Sequence, residues 1–335
     1  MREERDYSLL AHNTFGIDAR CRRFVEFTSI EEAKQVAMEL KEPFLIIGGG
    51  SNLLLTHDYD GTVVRSAIQG VTVVADDGDM LSVKVGSGNE WDATVGEFVR
   101  QGWHGAENLS LIPGDVGASA VQNIGAYGTE VCRLIEQVDA VSIGDGSSCT
   151  FTAEECQYGY RQSRFKNEWK NRYLITNVTY RLSRRFEPNL NYAGIQNVLS
   201  KHQISQPTAQ QLRDCIIGIR NEKLPDPKVE GNAGSFFMNP VIGRQQFNLL
   251  LERYPDMPHY YVDDAHEKIP AGWMIEQCGW KGRTVGRAGV HCKQALVLVN
   301  RGGATGKEVV DLCNAIRRDV KEQFNIEIIP EVNII

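Results

Sequence analysis

The stretch from Phe44 to Leu55 reads FLIIGGGSNLLL, a short apolar run followed at once by a glycine loop. The apolar run lies between Pro43 and glycine, which predicts a buried strand with the loop at its end. Successive backbone N–H groups in such a loop could cradle a phosphate. The loop lacks the Gly-Lys-Ser/Thr ending of a Walker A motif, and Leu53 stands where a G-x-G-x-x-G motif needs its third glycine. A nicotinamide-binding Rossmann domain is therefore disfavoured.

Two further glycine segments occur later in the chain. Gly86-Ser-Gly88 follows a predicted strand, Leu81 to Val85, and departs from the dinucleotide motif at Trp91. The longest irregular stretch, residues 107–128, reads ENLSLIPGDVGASAVQNIGAYG, and a structureless stretch of this length predicts a functional loop. Tight turns at strand ends would explain either short loop alone. The three segments together favour a large diphosphate-bearing cofactor that is held mostly by backbone atoms.

Helical spacing, capping residues and apolar alternation predict the other elements. Two prolines within Lys223–Lys228 predict an extended crossing and a domain boundary. The predicted elements are helices opened by Ser29, Thr208 and Thr305, a helix with Trp91, Val95, Phe98 and Val99 on one face, helices over 245–253 and 271–278, a hairpin of 138–143 with 149–152, and strands over 173–182, 295–300 and 326–332.

Length and charge exclude several classes of protein. The chain has 335 residues, enough for two or three domains, and a net charge of -7 without any basic block. This charge argues against a nucleic-acid or anionic-membrane partner, and no apolar run approaches the ~18 residues of a membrane span. Eight scattered cysteines without a C-x-x-C pair, together with the lack of a signal core in the first dozen residues, predict reduced thiols in a cytoplasmic protein. His104 and Glu107 form a lone H-x-x-E, so we expect no metal site.

Several motifs closely resemble those of one family, the bacterial UDP-N-acetylenolpyruvoylglucosamine reductases. The similar segments follow one another in order over almost the whole chain: NTFGID at 13–18, GGGSNLLL at 48–55, IPGDVGASAVQNIGAYG at 112–128, GYRQS at 159–163, KLPDPK at 223–228, GNAGSFFMNP at 231–240 and PEV at 330–332. The resemblance implies an α+β fold, in which a two-subdomain FAD-binding module of the vanillyl-alcohol-oxidase (PCMH-like) type precedes an α+β substrate-binding domain. The implied boundaries are 1–66 and 67–222 for the two FAD-binding subdomains, 223–325 for the substrate-binding domain, and 326–335 for a C-terminal strand that returns to the active site.

The resemblance also implies FAD as the cofactor, with NADPH as co-substrate. The FAD is expected to be non-covalent, since the glycine loop contains no His or Cys that could link it. The residues that match the family's FAD-binding positions lie in two segments: Gly48, Gly49, Gly50, Ser51, Asn52 and Leu53 in the first, and Ile112, Pro113, Gly117, Ala118, Ser119, Gln122, Ile124 and Gly125 in the second.

The implied reaction reduces the enolpyruvyl ether of a UDP-amino sugar to a lactyl ether, in the synthesis of peptidoglycan precursors. Hydride reaches the terminal enolpyruvyl carbon from the flavin, so the neighbouring carbon needs a proton donor and the enolate needs cationic stabilisation. Three residues match the family's catalytic positions: Ser235 as the proton donor, Arg161 holding the carboxylate, and Glu331 as a polarising or proton-relaying partner. Glu331 stands in a mostly apolar segment, IEIIPEVNII, and a buried carboxylate needs a partner such as Arg161.

Five residues match the family's substrate-contacting positions, namely Tyr160, Tyr192, Lys223, Asn239 and Gln294. Tyr192 lies in a segment similar to the loop of one subclass of the family, in which a tyrosine closes over the substrate. The sequence departs from the family at Met238, where many members carry lysine, and this puts one expected cationic contact in doubt. The expected partners are therefore small molecules only, a UDP-sugar and NADPH.

Two other functions stay open on the sequence. The first is another flavoprotein of the same fold, such as an oxidase acting on an alcohol, which would share the glycine segments but not the set Arg161, Ser235 and Glu331. The second is a nucleotide-sugar-binding protein without activity, which would have no reason to keep these three groups. A G-x-S-x-G elbow is absent, so a hydrolase is disfavoured.

Overall fold

The patterns along the chain become twenty strands and eight α-helices in the computed structural model, which describes residues 1–335. The strands are β1 Arg2–Ser8, β2 Arg20–Phe27, β3 Phe44–Ile47, β4 Leu53–Leu54, β5 Tyr59–Ser66, β6 Val71–Asp76, β7 Met80–Gly86, β8 Gly125–Ala126, β9 Thr129–Glu130, β10 Ile135–Ser142, β11 Ser148–Thr152, β12 Tyr173–Ser183, β13 Asn232–Ser235, β14 Val241–Gly243, β15 Tyr260–Asp263, β16 His266–Lys268, β17 Thr284–Val285, β18 Ala288–Val290, β19 Val297–Asn300 and β20 Asn333–Ile334. The helices are α1 Ile30–Glu39, α2 Trp91–Gln101, α3 Val116–Gln122, α4 Ala193–Lys201, α5 Ala209–Lys223, α6 Arg244–Arg253, α7 Ala271–Gln277 and α8 Gly306–Phe324.

The chain divides into two compact units, each made of non-contiguous segments. The first unit comprises Met1–Tyr7, Cys21–Gly49 and Tyr59–Glu222, and the second comprises Ser8–Arg20, Gly50–Asp58 and Lys223–Ile335. The boundary therefore passes through the first glycine loop, between Gly49 and Gly50. The finer division into two FAD-binding subdomains and a substrate-binding domain stays a prediction.

The first unit contains two larger sheets. One has the strand order β1-β2-β5-β3, in which β5 pairs in parallel with both β2 and β3. The other is antiparallel, with the order β11-β10-β12-β7-β6. Side chains of β7, β10 and β12 pack against α2 and α3 and form the core on this sheet. In this core the rings of Trp91 and Tyr180 are buried edge to face, with their centroids 5.7 Å apart. Helices α4 and α5 form a smaller core around Ile195, Leu212 and Ile216.

The second unit also contains two antiparallel sheets, β13-β19-β18-β17 and β14-β16-β15. The long helix α8 begins as its sequence predicts, because the Thr305 hydroxyl accepts from the Glu308 N–H and the Glu308 carboxylate accepts from the Thr305 N–H. Its buried residues recur at helical spacing, from Val309 to Val320. Backbone bonds tie the early segments to the late ones: the Asn232 N–H donates to the Thr14 carbonyl at 3.0 Å, and β20 pairs in parallel with β4.

Two predicted elements are wrong. Residues 107–128 are not structureless, because they contain the 3-10 turn Glu107–Leu109 and the helix α3. A run of small residues leaves this helix without an apolar period, since four of its seven residues are Gly117, Ala118, Ser119 and Ala120.

The predicted strand over 326–332, and with it the C-terminal strand over 326–335, is also absent apart from the two residues of β20. Pro330 has no N–H and cannot donate to a ladder. The segment instead makes separate bonds on either side of an isolated bridge between Phe237 and Pro330. None of the helices combines the length and the apolar character that a bilayer span requires.

Candidate functional site

Two of the three glycine segments, Gly86-Ser-Gly88 and residues 107–128, are joined in the first unit through backbone hydrogen bonds. The Gly114 carbonyl accepts from the Trp91 N–H, the Asn89 carbonyl from the Val116 N–H, and the Ser87 carbonyl from the Gly117 N–H, each at 2.9 Å. The segment around α3 therefore lies directly on the turn Gly86-Ser-Gly88. A Cβ on Gly117 would approach the Ser87 Cβ to 2.9 Å, so this contact needs glycine.

Gly48 and Gly49 lie against the same part of the segment. A Cβ on Gly48 would lie 3.0 Å from the Ala118 Cβ, and a Cβ on Gly49 would lie 3.1 Å from Asp115 Oδ1 and 3.2 Å from the Gly114 Cα. The end of β3 thus packs closely on the start of α3, and the contact surface leaves little space for a side chain at position 48 or 49. The successive main-chain N–H groups of such a glycine loop are able to bind an anionic ligand.

A buried charged cluster supports this surface from the protein side. Asp115 is 7% exposed, and its Oδ2 lies 3.3 Å from Nη2 of Arg65. Arg65 also binds Glu26, with Nη1 and Oε2 2.7 Å apart, while its Nε is buried without a hydrogen-bond partner. Burial raises the pKa of Asp115 to about 6, and the Arg65 guanidinium opposes this rise.

The remaining predicted cofactor residues of the first unit differ in what their side chains do. The Gln122 Oε1 is buried without a hydrogen-bond partner, as expected for an acceptor that a bound group satisfies. The Ser119 hydroxyl, by contrast, serves the core: it donates to the Val116 carbonyl at 2.7 Å and lies 3.2 Å from the Tyr180 hydroxyl. Ile112, Pro113, Ile124 and Gly125 belong to the same segment.

The second half of the first glycine loop, Gly50 to Leu53, belongs to the second unit. Gly50 has a φ of +67°, and a Cβ there would lie 2.0 Å from the His12 carbonyl oxygen. The Thr14 N–H donates to the Gly50 carbonyl at 3.1 Å, which fixes this turn on the segment NTFGID. Ser51 follows it, and the Asn52 carbonyl accepts from the Asn333 N–H at 3.1 Å.

Arg161 lies in the first unit and has a strained backbone. Its φ is +56°, which a non-glycine residue adopts only where its surroundings impose it. Its Nη1 donates to the Asn123 carbonyl at 3.2 Å, and its Nη2 donates to the Gly125 carbonyl at 2.5 Å. The predicted carboxylate-binding residue therefore contacts the predicted cofactor segment directly.

The predicted tyrosines also lie in the first unit and are partly exposed. Tyr160 is 41% exposed, and its ring lies 5.5 Å from the Arg161 guanidinium carbon. Tyr192 precedes α4, is 37% exposed, and packs edge to face on Tyr127 with ring centroids 5.0 Å apart. Burial raises the pKa of Tyr127, and the neighbouring Arg220 opposes this rise. The loop that carries Tyr192 thus packs on Tyr127, at the end of the segment 112–128.

Ser235 and Glu331 lie in the second unit, on adjacent backbone segments. Ser235 is exposed at the end of β13, directly before the buried Phe236. The Glu331 N–H donates to the Phe236 carbonyl at 2.8 Å, and the Met238 N–H donates to the Ile329 carbonyl at 2.9 Å. The two predicted catalytic residues of this unit therefore lie on neighbouring, hydrogen-bonded backbone segments, and Glu331 is partly exposed rather than buried.

Three further predicted residues lie in the second unit. The Asn239 Oδ1 accepts from the Ala271 N–H at 2.9 Å, and the Gln294 Oε1 would lie 3.2 Å from a Cβ on Gly272, so both side chains reach the beginning of α7. Lys223 is exposed at the boundary between the units. Met238 stands two residues after Phe236, where the resemblance expects lysine.

Sequence reasoning missed residues that connect these segments. Asn123 bonds to two other segments of the first unit, and Asp115 pairs with Arg65 in the charged cluster. Asn at the end of a helix is a known signal for left-handed backbone, and could have singled out Asn123 had α3 been predicted. The Arg65–Asp115 pair joins residues fifty positions apart and leaves no local signal.

Comparison with known proteins identifies the family. The sequence profile of the UDP-N-acetylenolpyruvoylglucosamine reductase C-terminal domain matches residues 226–335, and the profile of an FAD binding domain matches residues 23–152. The crystal structure of UDP-N-acetylenolpyruvylglucosamine reductase from Thermus caldophilus superimposes with a TM-score of 0.71 and 25% identity, covering 100% of this chain and 99% of that chain. The predicted α+β fold class is confirmed.

Curated relatives agree over the full length. The UDP-N-acetylenolpyruvoylglucosamine reductase of Bacteroides fragilis is 52% identical over 334 residues, covering 99% of this chain and 100% of the relative. Those of Burkholderia multivorans and Flavobacterium johnsoniae are 47% and 43% identical, over 97% and 100% of this chain and 95% and 100% of the relatives. This chain therefore belongs to the UDP-N-acetylenolpyruvoylglucosamine reductase family and is an FAD-containing oxidoreductase.

Proposed function

We propose that this protein reduces UDP-N-acetylglucosamine enolpyruvate to UDP-N-acetylmuramate with NADPH, a step in the synthesis of peptidoglycan precursors. The observation that carries the proposal is the pairing of the Ser235 and Glu331 segments by the 2.8 Å bond from the Glu331 N–H to the Phe236 carbonyl. An exposed hydroxyl and a partly exposed carboxylate on adjacent segments suit proton delivery to a carbon atom. Family membership supplies the cofactor class for the hydride.

The residues of the first unit fit FAD. Gly48 and Gly49 begin a glycine loop at the end of β3, whose main-chain N–H groups suit a diphosphate, and the unpartnered Gln122 Oε1 offers an acceptor. The chemistry that FAD supplies when bound is hydride transfer, received from NADPH and passed on to the terminal enolpyruvyl carbon. The chain itself must then bind the substrate, stabilise the developing charge and deliver one proton.

Arg161 would bind the enolpyruvyl carboxylate. A guanidinium presents two parallel N–H groups to a carboxylate, and this geometry also suits the enolate that develops during the reaction. The two carbonyl acceptors at Asn123 and Gly125 fix the orientation of the side chain. Charge stabilisation by an already oriented group costs no reorganisation in the transition state.

Ser235 would donate the proton to the carbon next to the one that receives hydride. Glu331 would act as a polarising or proton-relaying partner in this step. Ser235 occupies a bulged end of β13: the register with β19 shifts between Asn232 and Ser235. Such irregularities re-aim a side chain out of the ladder. The predicted substrate contacts Tyr160, Tyr192, Lys223, Asn239 and Gln294 would bind the phosphates, the sugar or the carboxylate of the substrate.

The variant Ser235→Ala tests the proposal. We expect it to retain FAD and to be reduced by NADPH at the wild-type rate, because neither step uses the hydroxyl. Flavin reoxidation by UDP-N-acetylglucosamine enolpyruvate should slow by more than the roughly 10²–10⁴-fold contribution of one general acid, since GNAGSFFMNP contains no substitute hydroxyl or thiol. The measurement is stopped-flow absorbance of the two half-reactions.

Ser8→Ala is the matched control, since Ser8 belongs to the same unit and its hydroxyl donates to Asp18 Oδ1 and accepts from the Leu10 N–H, both at 3.3 Å. It should leave both half-reactions unchanged. Wild-type reoxidation in Ser235→Ala would make Ser235 a turn residue. Failure of the wild-type protein to reoxidise with this substrate would refute the proposed reaction itself.

A further inference from the structure

Asn123 is a fully buried polar residue at the end of α3, between the predicted cofactor residues Gln122 and Ile124. Its backbone is left-handed, with φ 44° and ψ 63°. Buried amides are retained where their hydrogen bonds hold a particular arrangement, because each unsatisfied group would cost free energy. The partners of this side chain therefore show what it holds.

The Asn123 side chain bonds to two other segments. Its Nδ2 donates to the Gly159 carbonyl at 2.7 Å and lies 3.3 Å from Glu130 Oε2, and its Oδ1 accepts from the Cys132 N–H at 3.1 Å. The first bond is the shortest and reaches the loop that carries Arg161. The side chain thus fixes the start of that loop to the end of α3.

The loop itself is a tight and strained turn. Gly159 and Gln162 exchange two backbone hydrogen bonds of 3.0 Å each, and Arg161 between them has a φ of +56°. A non-glycine residue in this conformation persists only when neighbouring bonds over-determine it. The bond from Asn123 Nδ2 to the Gly159 carbonyl acts at the closing pair of this turn.

The main chain of Asn123 acts on the same arginine. Its carbonyl accepts from Arg161 Nη1 at 3.2 Å, while the Gly125 carbonyl accepts from Nη2 at 2.5 Å. One residue therefore holds the backbone of the Arg161 loop through its amide and the Arg161 guanidinium through its carbonyl. The left-handed conformation allows both contacts at once, since it turns the carbonyl away from the helix direction.

We infer that Asn123 is a positioning residue for the enolpyruvyl-binding Arg161, acting through the Gly159–Gln162 turn. The inference rests on the role proposed above for Arg161. It assigns no contact with substrate to Asn123 itself. Its loss should therefore affect the steps that use Arg161 and spare the reduction of the enzyme by NADPH.

The variant Asn123→Gly separates the side chain from the backbone. Glycine adopts a φ of +44° readily and keeps the carbonyl that accepts from Arg161, so only the side-chain bonds are lost. We expect flavin reoxidation by substrate to slow about 10- to 100-fold, as a misplacement of ~1 Å produces, and the Kd of the substrate for the oxidised enzyme to rise about tenfold. FAD content and the rate of reduction by NADPH should match the wild type.

A double variant distinguishes positioning from general destabilisation. In an Arg161→Ala background, Asn123→Gly should cause no further loss in reoxidation, because the group that it positions is absent. Asn123→Asp, which keeps the volume and the acceptor for Cys132 but not the donor, should act in the same direction as Asn123→Gly. Ser82→Ala, which removes a 2.5 Å bond to Glu136 from a buried serine of the same unit, should leave both half-reactions unchanged.

The outcomes separate the two proposals. Additive losses in the double variant, slower reduction by NADPH, loss of FAD or wild-type reoxidation in both Asn123 variants would overturn the inference while leaving the proposed function intact. Wild-type reoxidation in Arg161→Ala would instead overturn the proposed role of Arg161, and the inference would fall with it.

Discussion

The two units build their parts of the predicted site from different atoms. In the first unit, the predicted cofactor residues are mostly glycines and small residues whose backbones touch, as at Gly117 on Ser87. In the second unit, the predicted catalytic residues are side chains on two paired segments, with Ser235 exposed and Glu331 partly exposed. The first arrangement requires positions that carry no side chain, whereas the second requires particular side-chain groups.

This difference predicts different consequences of substitution. Adding a methyl group in the first unit should displace a backbone and lower stability, because close-packed interiors do not absorb extra volume. Removing a functional group in the second unit should leave the fold unchanged and lower the rate. Arg161 is an intermediate case, since it is a functional side chain that the backbone of the first unit holds.

The largest expected effect comes from Arg161 and Glu331 together. Arg161→Ala should weaken substrate binding and slow reoxidation about 10³-fold, as the loss of a charge-stabilising donor does. Glu331→Gln should chiefly slow the chemical step, because it keeps the shape and loses the charge. The double variant should be little slower than Arg161→Ala. When two residues act together on the same group, removing either one loses most of their joint effect. Stopped-flow reoxidation and substrate Kd values check this, and fully additive losses would show that the two residues act at separate places.

The next effect concerns packing in the first unit. A Cβ on Gly86 would lie 2.4 Å from the Ile68 carbonyl oxygen, so Gly86→Ala should lower the free energy of unfolding by about 3 kcal/mol. Gly218→Ala is the matched control in α5, where nothing lies within 4 Å of the added atom. It should raise the free energy of unfolding by about 0.5–1 kcal/mol. Urea titrations of both variants measure the difference, and equal effects would show that the stability of the first unit does not depend on the close backbone contact at Gly86.

The smallest effect depends on pH and on Asp115. Because its pKa is raised in the folded protein from 3.8 to about 6, the stability that it contributes is full below pH 3.8 and is lost as pH rises through 6. Asn does not titrate, so the stability of Asp115→Asn relative to the wild type should rise by about 2–3 kcal/mol between pH 4 and pH 7. Arg65, Glu26 and Glu90 are the charged groups that face Asp115. Unfolding curves measured between pH 4 and pH 7 check the direction of this change. A stability difference that does not depend on pH would show that the pKa of Asp115 is not raised in the folded protein.

Local signals predicted much of the fold. The Thr305–Glu308 capping box and the apolar stripe predict helix α8. Ser29, whose hydroxyl accepts from the Glu32 N–H, predicts the start of α1. Where local pattern and structure disagree, a long-range or steric reason exists. The alternation in IEIIPEV imitates a strand, but Pro330 cannot donate and the neighbouring backbone offers only isolated bonds. Helix α3 has too few apolar side chains to show a period.

The candidate site was predictable only as a set of residue types. The motifs select Gly48, Arg161 and Ser235, but their spacing says nothing of the left-handed turn that orients Arg161 or of the amide that closes it. Those features depend on contacts between residues 36 to 38 positions apart, such as Asn123 with Gly159 and Arg161. No local pattern can encode such contacts, since they form only after the intervening chain has folded.

The second unit is made of segments that lie far apart in the sequence, and this has a consequence for its folding during synthesis. Its segment Gly50–Asp58 bonds to residues made much later: Asn52 donates to the Glu331 carbonyl across 279 positions. At 5–20 residues per second, a ribosome needs roughly fifteen seconds to a minute to cover that distance. During this time the early segments Ser8–Arg20 and Gly50–Asp58 can bond to each other, as Thr14 does to Gly50, but they lack the partners that Lys223–Ile335 supplies. The strands between and after them can already pair within the first unit. The nascent chain must therefore hold Leu53, Leu54 and Leu55, all buried in the finished protein, in a soluble state until their partners emerge.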